Sequence, residues 1–283
     1  MLKHRLLYGT LMTVFFLAIV LLDGWLDGSL LASAADKPLQ GTLFCVLIAL
    51  LMIPAQLEFS ALASARGLHV LTPIATLASI VLATSWYWAQ LIDLNLAHLA
   101  LAIVFSLLAM FQYQHLKYGT TGTFGNCGAS CLAVCYLGLL GAFALAIRVR
   151  FGVWPLLMYV FVVKCSDIGA YAIGNLCGKH KFSPRVSPGK TWEGMGGAAA
   201  TAAITAILFG RLCGIMSVSL ALAFGVCFAF VGQMGDLLES MLKRDAEQKD
   251  SASKVPGFGG VLDILDSPLA AAPFAYLFFV CSL

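Results

Sequence analysis

The fold and the chemistry of this chain are organised around residues 235–268, GDLLESMLKRDAEQKDSASKVPGFGGVLDILDSP. This stretch holds seven of the chain's 14 acidic residues and four of its basic residues, whereas the sequence on either side is apolar. Charge beside long hydrophobic runs is costly in a membrane, so it marks the place where an integral membrane protein carries out its function.

The composition is that of a membrane protein. The chain has 283 residues, of which 60% are hydrophobic and 11% are charged, and its mean hydropathy is +0.91. A soluble domain is closer to half apolar and about a quarter charged. The net charge is +3 and no long basic run is present, which argues against nucleic acid as a partner.

Nine apolar segments predict an all-α, polytopic helical bundle with about nine transmembrane helices. Their ranges are about 6–22, 41–57, 70–90, 96–112, 128–147, 153–174, 194–210, 217–235 and 268–283. No linker divides the chain, so residues 1–283 are expected to form one integral membrane domain. Its N-terminal part is 1–152, and its C-terminal part, 153–283, carries two charged loops at 175–193 and 236–267.

The distribution of Lys and Arg predicts the orientation of the bundle. With the N-terminus inside, the inside loops carry 12 of the 17 basic residues, the outside loops carry four, and Lys164 lies within a segment. This bias favours a cytoplasmic N-terminus and an external C-terminus. Both charged loops then face the cytoplasm, where nucleotide triphosphates are found. Arg148 and Arg150 run against the bias, and the sequence does not explain them.

The spacing within 235–268 brings carboxylates together. In a helix, Asp236 and Lys243 share one face with either Glu239 or Ser240, and Asp263 and Asp266 also share a face. The intervening Pro/Gly-rich loop would expose backbone N–H groups that suit phosphate oxygens. Carboxylates, cations and a glycine loop are what a metal-bound nucleotide triphosphate requires. The alternative is a loop of ordinary solvated charges.

Polar residues also recur within the sixth apolar segment. Lys164, Asp167, Tyr171 and Asn175 follow helical spacing and share one face. Charges at this depth face the interior of a bundle or water. They either line a catalytic cavity or form a structural ion pair between helices.

A basic loop follows this segment. Lys179, Lys181, Arg185 and Lys190 accompany His180 within 12 positions, which creates a positive field for phosphate groups. We expect a helix with Ser187 as N-cap and Pro188 at its first position, so that Lys190 and Thr191 lie in the first turn. Such a helix start is an anion site, although a cytoplasmic loop would also be basic because of topology alone.

Three strings in this part of the chain resemble motifs of the phosphatidate cytidylyltransferases, also called CDP-diacylglycerol synthases. The strings are Ser240-x-x-Lys243-Arg244-x4-Lys249-Asp250-x-Ala252 continued by Pro256-x-x-Gly259-Gly260-x-x-Asp263-x-x-Asp266, then Ser187-Pro188-x-Lys190-Thr191-x-Glu193-Gly194, and Asp167-x-Gly169-Ala170-Tyr171. The family usually has His before the glycine pair and Arg after the first Asp, where this chain has Phe258 and Ile264. The resemblance covers about residues 165–267.

The resemblance implies an enzyme that condenses CTP with phosphatidate, giving CDP-diacylglycerol and pyrophosphate. It further implies a Mg²⁺ ion or a metal pair held by Asp236 and Asp263, with Asp266 as a third ligand. The residues expected to be catalytic are Asp236, Asp263, Lys190, Lys243 and Arg244. Those expected to contact substrate are Asp167, Tyr171, Lys179, Lys181, Ser187, Thr191, Ser240, Lys249, Asp250, Gly259 and Gly260.

Two other functions stay open from the sequence. One is a CTP-dependent kinase or cytidylyltransferase that acts on another lipid such as a polyprenol, which differs because a kinase releases CDP rather than pyrophosphate. The other is an ion-coupled transporter that uses Lys164 and Asp167, although no internal repeat supports it. The expected partners are CTP, phosphatidate and the lipid bilayer of the inner membrane, and a homodimer is left open.

Overall fold

The computed structural model describes residues 2–30, 39–252 and 259–283, with side chains from residue 7 onward. It consists of helices: α1 (Leu2–Leu26), α2 (Thr42–Ala65), α3 (Thr72–Ala83), α4 (Ser85–Trp88), α5 (Leu96–Tyr118), α6 (Thr123–Ala133), α7 (Leu140–Phe151), α8 (Val153–Cys177), α9 (Trp192–Leu212), α10 (Val218–Asp245) and α11 (Val261–Ser282). A π-helical segment, Val134–Leu139, joins α6 to α7. The predicted all-α class is confirmed.

Eight helices of the described residues are long and apolar enough to cross a membrane. The predicted third segment is instead the 12-residue α3, continued after Thr84 by the short α4. Thr72 contacts Ser60 near the end of α2 at 3.1 Å, whereas Tyr87 contacts Thr42 at the start of α2 at 3.2 Å. The third segment therefore runs the length of α2, and about nine crossings is a close estimate.

Long-range contacts sort the loops onto the two ends of the bundle. At one end Arg66 lies 3.7 Å from Asp245, and we call this the site end because the charged motifs lie there. At the opposite end Gln90 and Gln40 exchange two hydrogen bonds of 2.9 Å, and Arg150 donates to Tyr276 at 2.7 Å. This partition matches the alternation that the charge bias predicts.

Small residues let the C-terminal helices approach closely. A Cβ atom on Gly169 of α8 would fall 2.6 Å from the Gly197 carbonyl oxygen of α9. On α10, a Cβ on Gly225 would fall 2.5 Å from the Cα of Ala203. Membrane helices lack a hydrophobic driving force toward each other, so close packing of this kind holds them together. It fixes α8, α9 and α10 as one frame for the site.

The predicted fifth segment, 128–147, is the middle of a longer helical run over 123–151 that contains the π-helical segment. At Gly138 in that segment, an added Cβ would lie 2.7 Å from the Cα of Ser79 on α3. The missing side chain of Gly138 therefore allows direct backbone contact between the two helices.

The opposite end contains a buried ion-pair cluster that explains Arg148. Its Nε donates to Asp23 at 2.9 Å and its Nη2 donates to Asp27 at 2.6 Å, with all three side chains buried. Burial raises the pKa of Asp27, but hydrogen bonds from Ser29 and the Gly41 amide, together with Arg148, outweigh burial and lower the pKa. A cation paired in this way carries no exposed charge, so it does not oppose the positive-inside bias.

Both charged loops are shorter than predicted. The helix α8 continues to Cys177 and α9 begins at Trp192, which leaves a loop of 178–191. The predicted loop 236–267 is mostly helix, because α10 continues to Asp245 and α11 begins at Val261. The carboxylates of both motifs therefore stand on rigid helices rather than on a mobile loop.

Candidate active site

Three carboxylates converge at the site end. Asp236 and Glu239 lie three residues apart on α10, and Asp266 lies on α11, which packs beside it. One oxygen of each lies within 4.8 Å of the others. Glu239 and Asp266 are buried and Asp236 is half-buried. We call these three residues the carboxylate group.

A lysine stands beside each member of the carboxylate group. Lys164 of α8 lies 3.8 Å from Asp266, and Lys190 of the 178–191 loop lies 2.9 Å from Asp236. Lys243, one turn along α10, lies 2.6 Å from Glu239. These cations reduce the repulsion that three carboxylates so close together would otherwise suffer.

The polar face predicted on α8 extends this network. Lys164 lies 3.7 Å from Asp167, and Asp167 accepts a 3.0 Å hydrogen bond from the Gln233 side chain. The main-chain carbonyl oxygen of Gln233 accepts a hydrogen bond from the Lys190 ammonium group at 2.9 Å. Lys164 thus pairs within its own helix and also with Asp266 of α11, which is the predicted structural ion pair between helices, and the lining of a catalytic cavity stays a prediction.

Asp263 lies outside the carboxylate group, although the sequence predicts it as a metal ligand. Its Oδ1 accepts from Lys243 at 2.6 Å, and its Oδ2 accepts from the Ser251 hydroxyl at 2.7 Å and the Gly260 amide at 2.7 Å. Both oxygens are occupied by hydrogen bonds. In this arrangement Asp263 holds Lys243 and the start of α11 rather than joining Asp236 and Asp266.

The glycine pair fits closely around Asp263. Gly259 has φ +90°, a conformation that L side chains rarely adopt, and a Cβ there would strike the Asp263 carboxylate. A Cβ on Gly260 would strike the Ser251 hydroxyl and the Glu58 carboxylate. Gly259 therefore packs against the Asp263 carboxylate and Gly260 packs against the Glu58 carboxylate. The sequence predicts instead that the two glycines let the backbone approach the nucleotide. Phe258 lies outside the described residues.

Glu58 is a site residue that sequence reasoning missed. It lies on α2, is 2% exposed, and accepts from the Leu262 amide at 2.9 Å and from Ser251 at 3.3 Å. It therefore satisfies a backbone donor in the first turn of α11 and connects the N-terminal part of the chain to the motif region. An acidic residue directly after the predicted apolar segment 41–57 was the available signal. Gln233 and Ser251 were also missed, and neither is distinctive in sequence.

The start of α9 differs from the prediction. The N-cap is Thr191, whose hydroxyl accepts from the Gly194 amide at 3.1 Å, and the prediction of Ser187 as N-cap is wrong. Ser187 lies in a turn where its carbonyl accepts from the Lys190 amide at 3.2 Å. Glu193 in the first turn accepts from the backbone of Lys179 and His180. A carboxylate already faces this helix N-terminus, so it is not a free anion site.

The remaining predicted residues fall into two sets. Ser240 donates to Asp236 at 3.2 Å, and Arg244 donates to the Val186 carbonyl at 3.2 Å and the Gln248 carbonyl at 3.1 Å, tying two loops together. The other set is exposed and makes no ion pair with any described residue: Tyr171, Lys179, Lys181, Lys249 and Asp250. The structure does not bring this second set into the buried network.

The donor set of the carboxylate group suits a divalent cation. It offers only oxygen atoms, which favours Mg²⁺ or Mn²⁺ over zinc. The buried Glu239 Oε1 has no hydrogen-bond partner among the described residues, and a buried carboxylate oxygen without one is costly. The linked network contains five carboxylates and three lysines, so 5 − 3 leaves two negative charges in excess when all are ionised. A bound cation would balance that excess.

Comparison with known proteins finds relatives that are named phosphatidate cytidylyltransferase. The chain is 44% identical over 131 residues to a phosphatidate cytidylyltransferase of Haemophilus influenzae, covering 44% of this chain and 46% of that protein. It is 36% identical over 176 residues to one of Bacillus subtilis (61% and 65%) and 42% identical over 127 residues to one of Pseudomonas aeruginosa (42% and 47%). The matched stretches span about half to two thirds of these relatives.

A wider match comes from the family model described as the cytidylyltransferase family, which aligns with residues 3–282. It includes the N-terminal helices, which no motif in the sequence identified, as well as the carboxylate group and its lysines. Because this match takes in nearly all of the 283 residues, the chain belongs to the cytidylyltransferase family.

Proposed function

We propose that this chain is a phosphatidate cytidylyltransferase, which forms CDP-diacylglycerol and pyrophosphate from CTP and phosphatidate. The observation that carries the proposal is the carboxylate group, three oxygen ligands within 4.8 Å of one another on two membrane-spanning helices. The names of the relatives support the choice of substrates. A site at the end of a span lies where a lipid phosphate and a soluble nucleotide can meet.

The reaction requires positioning and charge neutralisation more than a covalent protein group. A phosphate oxygen of phosphatidate attacks the α-phosphorus of CTP. The bond from that phosphorus to the bridging oxygen breaks in line, and pyrophosphate leaves with the electron pair. Phosphatidate is already ionised near neutral pH, so the step needs no strong general base.

Asp236, Glu239 and Asp266 are proposed to hold Mg²⁺, with Asp236 and Asp266 common to the sequence prediction and the geometry. When bound, the ion neutralises charge on the phosphate oxygens and orients them. Asp263 takes a positioning role through Lys243. The number of ions, one or a pair, belongs to the same proposal.

Three lysines then act from fixed positions. Lys190 reaches the network from a loop and holds both Asp236 and the Gln233 carbonyl, so it is proposed to meet the nucleotide phosphates. Lys164 and Lys243 lie beside Asp266 and Glu239 and orient these carboxylates. Of the exposed cations, Lys179, Lys181 and Lys249 are proposed to attract the triphosphate by their field.

The decisive assay supplies membranes that contain the chain with CTP labelled on its α-phosphate and with phosphatidate. The expected result is label that becomes extractable into butanol together with stoichiometric pyrophosphate. Release of CDP with a phosphorylated lipid would identify the CTP-dependent kinase instead. Activity with a polyprenyl phosphate but not with phosphatidate would identify a transferase for another lipid.

The site end is proposed to face the cytoplasm of a cell whose inner membrane holds the chain. Asp245 has a side chain that is 70% exposed at the site end, so Asp245→Cys is a suitable reporter in a background cleared of accessible thiols. An impermeant thiol reagent should label it only after permeabilisation. Equal labelling in intact cells would reverse the orientation. Dimerisation stays a prediction.

A further inference from the structure

A polar cavity lies at the site end and shares no residue with the carboxylate group. It measures about 220 Å³ and lies where α2 and α5 end and α3 begins. That volume is roughly seven times the ≈30 Å³ share of one liquid water, which is room for a phosphate group and part of what carries it. No Asp or Glu is among its nine lining residues.

The cation of this cavity is Lys117 in the last turn of α5. Its ammonium group donates to the Tyr113 hydroxyl at 3.3 Å and lies 5.4 Å and 5.3 Å from the ring centroids of Tyr113 and Tyr118. It makes no ion pair with any described residue. The two rings orient the ammonium group without neutralising its charge, so the charge can still pair with an anion.

His69 is a second nitrogen donor that lines the cavity. The ring of His69 stacks on Tyr118 with centroids 5.1 Å apart and planes 4° from parallel, and its backbone amide donates to Asn126 at 2.8 Å. The ring is therefore held in place. The hydroxyls of Ser64 and Thr72 already donate to backbone carbonyls, and the Ser60 hydroxyl hydrogen-bonds to Thr72 at 3.1 Å. The ammonium, the imidazole and the tyrosine hydroxyls are left as donors.

The position of the cavity selects among anions. The helix α5 is the least buried of the described spans, since only 6% of its most apolar 18-residue stretch is buried inside the protein. Along it, Leu101, Phe105 and Leu108 are 50%, 63% and 56% exposed. This apolar surface is where lipid tails lie. Lys117 stands at its end, at the level where lipid phosphates meet water.

From these contacts we infer that the cavity binds the phosphate of an anionic lipid headgroup. Lys117 and His69 donate to the phosphate oxygens, the Tyr113 and Tyr118 hydroxyls complete the shell, and the acyl chains follow the outer face of α5. The inference does not rest on the proposed reaction, because the cavity shares no residue with the carboxylate group or its lysines.

The test uses the full-length protein in an uncharged detergent, with thermal unfolding followed as lipid is titrated. Phosphatidylglycerol should raise the unfolding temperature saturably, because a ligand that binds only the folded state stabilises it. Phosphatidylcholine, which has the same phosphate but no net charge, should give no saturable rise. Glycerol phosphate tests a soluble source of the same chemistry and should also give none.

Variants then locate the effect. Lys117→Gln and His69→Gln should each raise the half-saturating concentration of phosphatidylglycerol at least about tenfold, equivalent to roughly 1.4 kcal/mol. His115→Gln, an exposed neighbour on α5, and Arg211→Gln, an exposed cation at the end of α9, should leave it unchanged. Wild-type half-saturation in Lys117→Gln would overturn the site. Saturation by glycerol phosphate at equal concentrations would overturn the lipid assignment.

Discussion

Two clusters of buried charge stand at opposite ends of the same bundle and differ in how closely their carboxylates crowd together and in how far they are exposed. At the opposite end, Arg148 binds Asp23 and Asp27, and amides of Leu43 and Gly41 supply further donors at 2.7 Å and 3.0 Å. At the site end, each member of the carboxylate group has a lysine beside it. Each cluster keeps one buried polar atom without a hydrogen-bond partner among the described residues, Arg148 Nη1 and Glu239 Oε1.

This difference separates a structural ion-pair cluster from a candidate metal-binding site. Both clusters keep charge out of lipid by pairing it. The Arg148 cluster joins α1 to α7 with almost no exposed surface, so it can only hold the helices together. The carboxylate group brings three negative groups within 4.8 Å and leaves Asp236 half-buried, which is unfavourable unless something positive binds there.

The largest effect is expected when the ion pairs of Arg148 with Asp23 and Asp27 are removed. Arg148→Met should lower the free energy of unfolding by about 3–5 kcal/mol, because it strands two buried carboxylates. The measurement is denaturation in detergent. Arg150→Met is the matched control, since Arg150 is exposed and pairs with no carboxylate among the described residues, donating instead to Tyr276. Activity per folded molecule should be unchanged in both variants, and a selective loss of turnover in Arg148→Met would contradict a purely structural role.

Next in size, Asp236→Asn and Asp266→Asn should each reduce turnover at least about 100-fold, a barrier increase of roughly 2.7 kcal/mol. The reason is the loss of a negative ligand for the cation. EDTA should abolish wild-type activity and Mg²⁺ should restore it. In the same assay Asp27→Asn should keep its activity per folded molecule. Activity that is indifferent to chelation would show that the carboxylates are structural.

The Asp263 variant sharpens the division of roles within the site end. If Asp263 positions Lys243 and does not bind the ion, Asp263→Asn should reduce turnover without changing the Mg²⁺ concentration that gives half-maximal rate. Asp236→Asn should raise that concentration. An equal rise in both variants would return Asp263 to the ligand set that the sequence predicted.

A smaller effect is expected for Lys190→Ala, a loss in kcat/KM of roughly 10- to 100-fold, corresponding to about 1.5–3 kcal/mol for a charged hydrogen bond. Lys190→Arg should recover part of the loss because it keeps the charge but not the geometry. Lys181→Ala, an exposed cation of the same loop, is the comparison. Equal kinetics in all three variants would reduce the loop to a topology signal.

The smallest effect concerns Glu58. Glu58→Gln should cost about 1 kcal/mol, roughly fivefold in turnover, because it weakens the acceptor that holds Leu262 and Ser251. Ser251→Ala should act in the same direction, and the double variant should cost less than the sum because the two side chains share one contact. Strict additivity would mean that they act independently.

The sequence alone was enough to predict the helical class, the approximate spans and the positions of the charged regions. These follow from local properties, since hydropathy over about 20 residues reports a span and helical spacing reports a face. That is why Asp236, Glu239 and Lys243 were placed on one face of α10, where the structure has them.

Only the tertiary structure decided which of these residues meet. Asp266 joins Asp236 and Glu239 while Asp263, on the same helix, turns to Lys243 and Ser251. Glu58 reaches the motif region from 204 positions away in the chain, and Arg148 reaches Asp27 from 121 positions away. Such pairings depend on how helices pack against one another, and a periodic pattern within one helix contains no information about its neighbours.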